Sequence, residues 1–367
     1  MAKKYFLGLD QGTTGTTALI LDENWDIFSQ VNCEHKQYYP KPGWVEHDPM
    51  EIWEKTKEAV AKALKEGKIS IEDLKAIGID NQGETVLVWE KNTGVPIYNA
   101  IVWQDRRTSE MADQLKEEWG DVIKNKTGLV VDSYFSALKI KWILENVEDA
   151  KEKAAKGELI AGTVDAWLIW KMTGGKLHMT DYATASRTML LNIHEGKWDK
   201  DILNKLEIPE KMLPVINSSS MLYGYTDPEC FLGGKIAIAG NIVDQQSALF
   251  GQACFRPGTV KTTYGTGCFM LMNTGHKIVD SPNGLLTTVA WGLDDKMSFA
   301  LDGGVYITGA AIQWLRDGLG IIASAKETET IANSVDDTGD VYFVPAFTGL
   351  AAPYWDQYAR GMMIGMT

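Results

Sequence analysis

"LGLDQGTTGTTALILD", residues 7–22, holds two apolar runs joined by a turn of glycines and threonines. Leu7–Leu9 and Ala18–Leu21 predict two buried strands paired as a hairpin. The first run ends at Asp10, and Thr13, Thr14, Thr16 and Thr17 crowd the turn. A tight glycine turn points backbone N–H groups into one concavity, which suits phosphate oxygens. Threonine hydroxyls add donors without bulk. A carboxylate there cannot hold phosphate, but it can hold a magnesium ion through water. Asp10-Gln11-Gly12-Thr13-Thr14 therefore reads as a nucleotide-phosphate turn or as a plain β-turn built from turn-formers.

The pattern returns in the second half. "GTVKTTYGTGCFMLMNTG", residues 258–275, is again strand, glycine turn, strand, and "GGVYITGAAIQWLRDGLG", residues 303–320, leads into a helix. Tyr264-Gly265-Thr266-Gly267 is the matching turn. The same scheme met twice predicts two related α/β domains sharing a cleft, with the boundary near Gly251. Between the turns, residues 47–67 read as a helix with Asp48 as N-cap, Pro49 at N1, Glu51 completing a capping box and Gly67 as the stop. Leu74–Asp80 and Thr85–Glu90 read as strands, and "SALKIKWILEN" and "VDAWLIWKMTG" as helices.

Composition narrows the partners. The 367 residues are 45% hydrophobic and 23% charged, with net charge −13. That balance disfavours nucleic acid and anionic membrane, both of which would repel the chain. Four widely spaced cysteines show no metal-ligand spacing and fit a reduced, cytoplasmic compartment. The N-terminus, with a strand from Tyr5, has no signal-peptide pattern. No run of about 18 apolar residues predicts a membrane span. The five histidines show no triad or ligand spacing and read as structural. No GxSxG or GxxxxGK[ST] motif occurs.

Two further stretches carry candidate chemistry. In "NIVDQQSALFG", residues 241–251, Asp244 is either a helix N-cap or a general base for a substrate hydroxyl. "WQDRR", residues 103–107, offers an aromatic wall and cations to a substrate, or else begins a solvated charged helix.

These segments, with "YPKPGWVEHDPMEIW", "YFSALKIKWILEN", "ASRTMLLNIH", "DQQSALFGQ" and "VPAFTGLAAPYWD", resemble the FGGY carbohydrate kinase family of the actin/hexokinase/heat-shock ATPase superfamily. The resemblance runs along the whole chain. It implies two actin-like, ribonuclease H-like α/β domains around a nucleotide cleft. Residues 1–250 would carry the polyol pocket and phosphate hairpin, and residues 251–367 part of a nucleotide-binding domain. It implies ATP-dependent phosphorylation of a polyol, glycerol giving sn-glycerol 3-phosphate, with Mg2+ as cofactor and a homodimer or homotetramer as assembly. By resemblance Asp10 helps hold magnesium. Thr13, Thr14, Gly15, Thr266, Gly309 and Gln313 meet the nucleotide, and Asp244 is the catalytic base. Gly83, Glu84, Trp103, Tyr134, Asp244 and Gln245 form the polyol pocket.

The chain departs from the family pattern at several positions. Gly83 stands in "NQGE" where arginine is typical, and Thr17 also replaces an arginine. Asp105 stands for a frequent cysteine beside the pocket, and Val243 for a usual glycine before the base. The family's second domain continues beyond Thr367. The departures at 83, 17 and 105 keep a second polyol or sugar open as substrate. The last keeps open a non-catalytic, truncated product.

Overall fold

The computed structural model describes residues 4–367. Met1–Lys3, the first part of the N-terminal lead-in read above as lacking a leader pattern, lie outside the described residues. β1 (Tyr5–Gln11) and β2 (Gly15–Asp22) form the predicted hairpin, with Gln11 opposite Thr16 and Asp10 opposite Thr17. β3 (Ile27–Glu34) extends it. Gly15 is fixed by close approach: a Cβ on it would lie 2.8 Å from the Cys33 carbonyl oxygen.

α1 (Pro49–Gly67) starts where the sequence predicts. The Asp48 carboxylate accepts from Met50 N at 2.8 Å and Glu51 N at 3.4 Å. Two details differ. Glu51 accepts from Lys36 N at 3.1 Å, so it answers a neighbouring loop. Gly67 remains helical, and the left-handed cap falls on Lys68. α1 lays Ile52, Trp53, Ala59, Val60 and Ala63 against β2 and β3.

β4 (Leu74–Asn81), α2 (Ser136–Asn146), α3 (Val164–Met172) and α4 (Tyr182–Ser186) follow. Then come β5 (Ser220–Tyr225), β6 (Ala237–Val243) and α5 (Asp244–Gly251). The first sheet has the order β5-β6-β4-β1-β2-β3. Its centre, β6-β4-β1, is parallel, and its flanks are antiparallel. Register places Asp10 beside Asp80, and Asp80 beside Ile242. Two strand-end carboxylates, with Asp244 just past the end of β6, therefore open on one edge, as parallel α/β sheets arrange their ligand crevices. Beneath the sheet, α3 buries Trp167 and Trp170, stacked 5.9 Å apart, with Trp89 edge-on at 5.2 Å from Trp167.

The second half builds β7 (Val260–Tyr264), β8 (Cys268–Gly275), β9 (Leu286–Leu293) and β10 (Lys296–Val305), in the order β7-β8-β10-β9, then α6 (Gly309–Asp317). This sheet is antiparallel throughout. It docks on the first half through Ser186 Oγ, which lies 2.8 Å from Thr288 Oγ1 and accepts from Val289 N at 3.2 Å. Leu286, Tyr306, Ile307 and Ala311 share a core with Val86, Trp103 and Tyr134. Among the described residues no helix is long and apolar enough to cross a membrane.

Candidate active site between the two hairpins

Asp244 is the first residue of α5, after Val243, which takes the N-cap position without a side-chain cap. Its carboxylate accepts from Gln245 N at 2.7 Å and Gln245 Nε2 at 3.2 Å. An N-cap stands just outside its helix and accepts from the amide two or three residues on. Asp244 is inside α5 and accepts from the very next residue, so the capping alternative loses its geometry. Burial, then the Glu84 charge, push the Asp244 carboxyl up to about 7. A carboxylate titrating there is suited to take a proton near neutral pH.

Glu84 is its charged neighbour, and other residues expected of the polyol pocket pack on one another. Glu84 is 4% exposed and accepts from Arg187 Nε at 2.7 Å. Burial raises its carboxyl although the Arg187 charge opposes the shift. Trp103 and Tyr134 meet edge to face at 5.8 Å. Phe269, on β8, closes on Trp103 at 6.2 Å. Phe269 escaped the sequence reading because its strand pattern marks it only as an apolar residue after a turn. Gly83 adopts φ +75°, and a Cβ on it would meet Val243 Cγ2 at 3.1 Å. The two departures at 83 and 243, far apart in sequence, are thus neighbours in space.

The "WQDRR" cations are not free for a substrate, and neither are they a solvated helix start. Arg106 Nη1 pairs with Asp132 Oδ1 at 2.9 Å. Arg107 pairs with Asp105 at 2.8 Å and Glu46 at 2.7 Å. Asp105 also accepts from Val45 N at 2.6 Å and is fully buried. Its carboxylate is consumed internally, which removes the argument that it reshapes the pocket.

On the phosphate side, Thr13 Oγ1 accepts from the Trp103 indole at 2.9 Å, and Thr14 is exposed at the tip. The hairpin is braced by Gln82, which donates to Gln11 Oε1 at 3.0 Å and the Gly12 carbonyl at 3.2 Å. Gly15 is buried in β2 against β3, so it shapes the turn from behind. Thr17 Oγ1 accepts from Asn32 Nδ2 at 3.0 Å. Across the cleft, Thr266 is exposed at the β7–β8 turn. The Gly309 amide, at the start of α6, donates to the Gly265 carbonyl at 3.0 Å. Gln313 lies exposed one turn further along α6. A glycine turn beside a helix N-terminus is a phosphate-favouring arrangement.

Asp80 is a second residue the sequence reading missed. It sits beside Asp10 in register; burial raises both carboxyls, and the Asp10 charge pushes Asp80 further up, whereas Asp80 partly offsets the rise at Asp10. Asp80 Oδ2 accepts from Ser247 Oγ at 2.9 Å, while the buried Oδ1 has no partner. The signal was present: "LGLDQG" at 7–12 is echoed by "IGIDNQG" at 77–83. Two facing carboxyl groups with an orphaned oxygen fit a divalent cation. Among the described residues no three His, Cys, Asp or Glu side chains converge as a metal cage. That suits an ion that keeps waters and phosphate oxygens as its remaining ligands.

The chain is similar to known proteins along its whole length. The N-terminal domain model of the FGGY family of carbohydrate kinases matches residues 5–251, and its C-terminal domain model matches residues 260–367. The chain is 60% identical over 365 residues to glycerol kinase 2 of Thermotoga maritima, covering 99% of this chain and 73% of that protein. It is 61% identical over 366 residues to glycerol kinase of Thermoanaerobacter pseudethanolicus, with the same coverage. The crystal structure of Plasmodium falciparum glycerol kinase with ADP superposes with TM-score 0.87 at 38% identity, covering all of this chain and 73% of that one. Xylulose kinase from Brucella ovis, at 21% identity and TM-score 0.84, shares the fold. Family models and relatives that match nearly the whole chain lead to one assignment: the chain belongs to the FGGY family of carbohydrate kinases.

Proposed function

We propose that the chain transfers the γ-phosphoryl group of ATP to a terminal hydroxyl of glycerol, giving sn-glycerol 3-phosphate. The observation that carries this reading is Asp244. Burial and the neighbouring Glu84 charge raise this carboxyl to about 7, and Asp10 at the end of β1 lies within electrostatic reach of it. The relatives named glycerol kinase supply the substrate's identity.

In this reading residues 1–250 hold the polyol and the phosphate hairpin, and residues 251–367 hold the nucleotide side. Trp103, Tyr134 and Phe269 cover the carbon chain of glycerol, while Glu84 and Gln245 accept and donate hydrogen bonds to its hydroxyls. Asp244 takes the proton from the attacking hydroxyl as the oxygen–phosphorus bond forms and the bond to ADP breaks. Thr13, Thr14, Thr266 and the α6 N-terminus at Gly309 orient the phosphates in line with that hydroxyl. Asp10 and Asp80 would hold Mg2+, which when bound neutralises phosphate charge.

The test is ADP release with glycerol and with four- and five-carbon polyols at fixed ATP. Glycerol is expected to give the highest kcat/KM. A longer polyol exceeding it would overturn the substrate assignment, and the side chain missing at Gly83 would be the place to look.

A further inference from the structure

Lys261 lies on β7, in the second domain, and is 4% exposed. Among the described residues its ammonium has no carboxylate at ion-pair distance. It donates instead to Gln245 Oε1 and to Thr263 Oγ1, the latter at 2.9 Å. Burying an unpaired ammonium is unfavourable by several kcal/mol unless its hydrogen bonds are well placed. Its burial therefore calls for a reason.

Register supplies one. Lys261 is opposite Leu271 on β8, and Leu271 is opposite Asp302 on β10. Residues directly opposite on antiparallel strands share a face. Lys261 and Asp302 thus form one row that presses on the first domain. At the far end, Asp302 Oδ2 is 3.0 Å from Arg187 Nη1, and Arg187 Nε donates to Glu84 Oε1 at 2.7 Å. Each end of the row reaches one pocket side chain. Lys261 also decides which way the Gln245 amide faces. With its oxygen on the ammonium, its nitrogen is turned to Asp244 Oδ2.

We propose that Lys261 and Asp302 are positioning residues of the second domain that lock Gln245 directly and Glu84 through Arg187, so that polyol affinity depends on this row. This rests on the reading of the pocket as a glycerol site. Lys261 fixes a donor and acceptor pattern that a freely rotating amide would lose. Asp302 keeps the guanidinium from swinging away from Glu84.

The experiment is calorimetric titration of glycerol into the full 367-residue chain without nucleotide. Lys261→Met is expected to weaken glycerol binding about tenfold, the size of one charge-assisted hydrogen bond. ADP affinity should stay within about twofold, and Lys261→Arg should recover most of the loss. In a Gln245→Ala background the same Lys261→Met change should have no further effect. Asp302→Asn, nearly isosteric, probes the other end and keeps the test open if Lys261→Met does not fold. Parent-like glycerol binding in either variant would overturn the proposal for that residue while leaving the glycerol reading intact. So would an undiminished Lys261→Met effect without Gln245, or an equal loss of ADP affinity. A parent chain that binds no glycerol would overturn the glycerol reading and this proposal together.

Discussion

At the scale of single residues, Asp244 shows how a site is held against stability. Its proton affinity is raised in the fold, so the folded chain retains a proton that the unfolded chain releases. The resulting stability is present below about pH 4 and is lost as pH rises to about 7. Asp244→Asn is therefore expected to lower turnover by about 10²- to 10⁴-fold. It should also raise the melting temperature at pH 8 and leave it unchanged at pH 4. Calorimetry at the two pH values checks the second half. Gly83 carries a different constraint. Arginine at φ +75° would cost about 1–2 kcal/mol in backbone strain alone, and its Cβ meets Val243 Cγ2 at 3.1 Å. Gly83→Arg should lower the melting temperature, and adding Val243→Gly should recover the steric part of that loss. Asp10, Asp244, Trp103 and Tyr134 stood out in the sequence as motif positions, whereas Asp80 and Phe269 did not. The contact between 83 and 243 was not, because it depends on β6 lying next to β4, a pairing no local pattern encodes.

At the scale of elements, the hairpins and helices were legible because their signals are local. Two apolar runs flanking a glycine turn gave β1 and β2, and Asp48-Pro49 gave the start of α1. What local signals could not give was partnership. Glu51 has capping-box spacing, yet a loop amide from Lys36 wins its carboxylate. Asp80 was visible as a strand end, but only parallel register with β1 sets it beside Asp10. Asp80→Asn should raise the magnesium concentration needed for half-maximal rate and leave glycerol binding unchanged, read by titrating the metal at saturating ATP. The second domain's turn is equally register-dependent. A Cβ at Gly309 would sit 2.5 Å from the Gly265 carbonyl oxygen. Gly309→Ala should separate the β7–β8 turn from α6. An increase of about tenfold in the KM for ATP is expected, the worth of one misplaced backbone donor, with the KM for glycerol unaffected.

At the scale of the whole molecule, the two halves are joined by buried polar groups as well as by core. Arg187 sits between Glu84 of the first half and Asp302 of the second, all three nearly inaccessible. Arg187→Met would leave two buried carboxylates unpaired, so a loss of about 3–5 kcal/mol is expected in denaturant unfolding. The mutation should also separate the unfolding of the two halves if this bridge enforces their cooperativity. Trp103 makes a second connection across the molecule. Its ring packs on Tyr134 and Phe269, and its indole N–H is held by Thr13 at the tip of the first hairpin. In the proposed reading one fluorophore is therefore wired to both ligands. Glycerol should alter its emission by displacing water from the ring, and nucleotide by drawing on the Thr13 hydroxyl. The order in which the two substrates arrive could then be read optically, in stopped flow and without a label, using Trp103→Phe to subtract the other tryptophans.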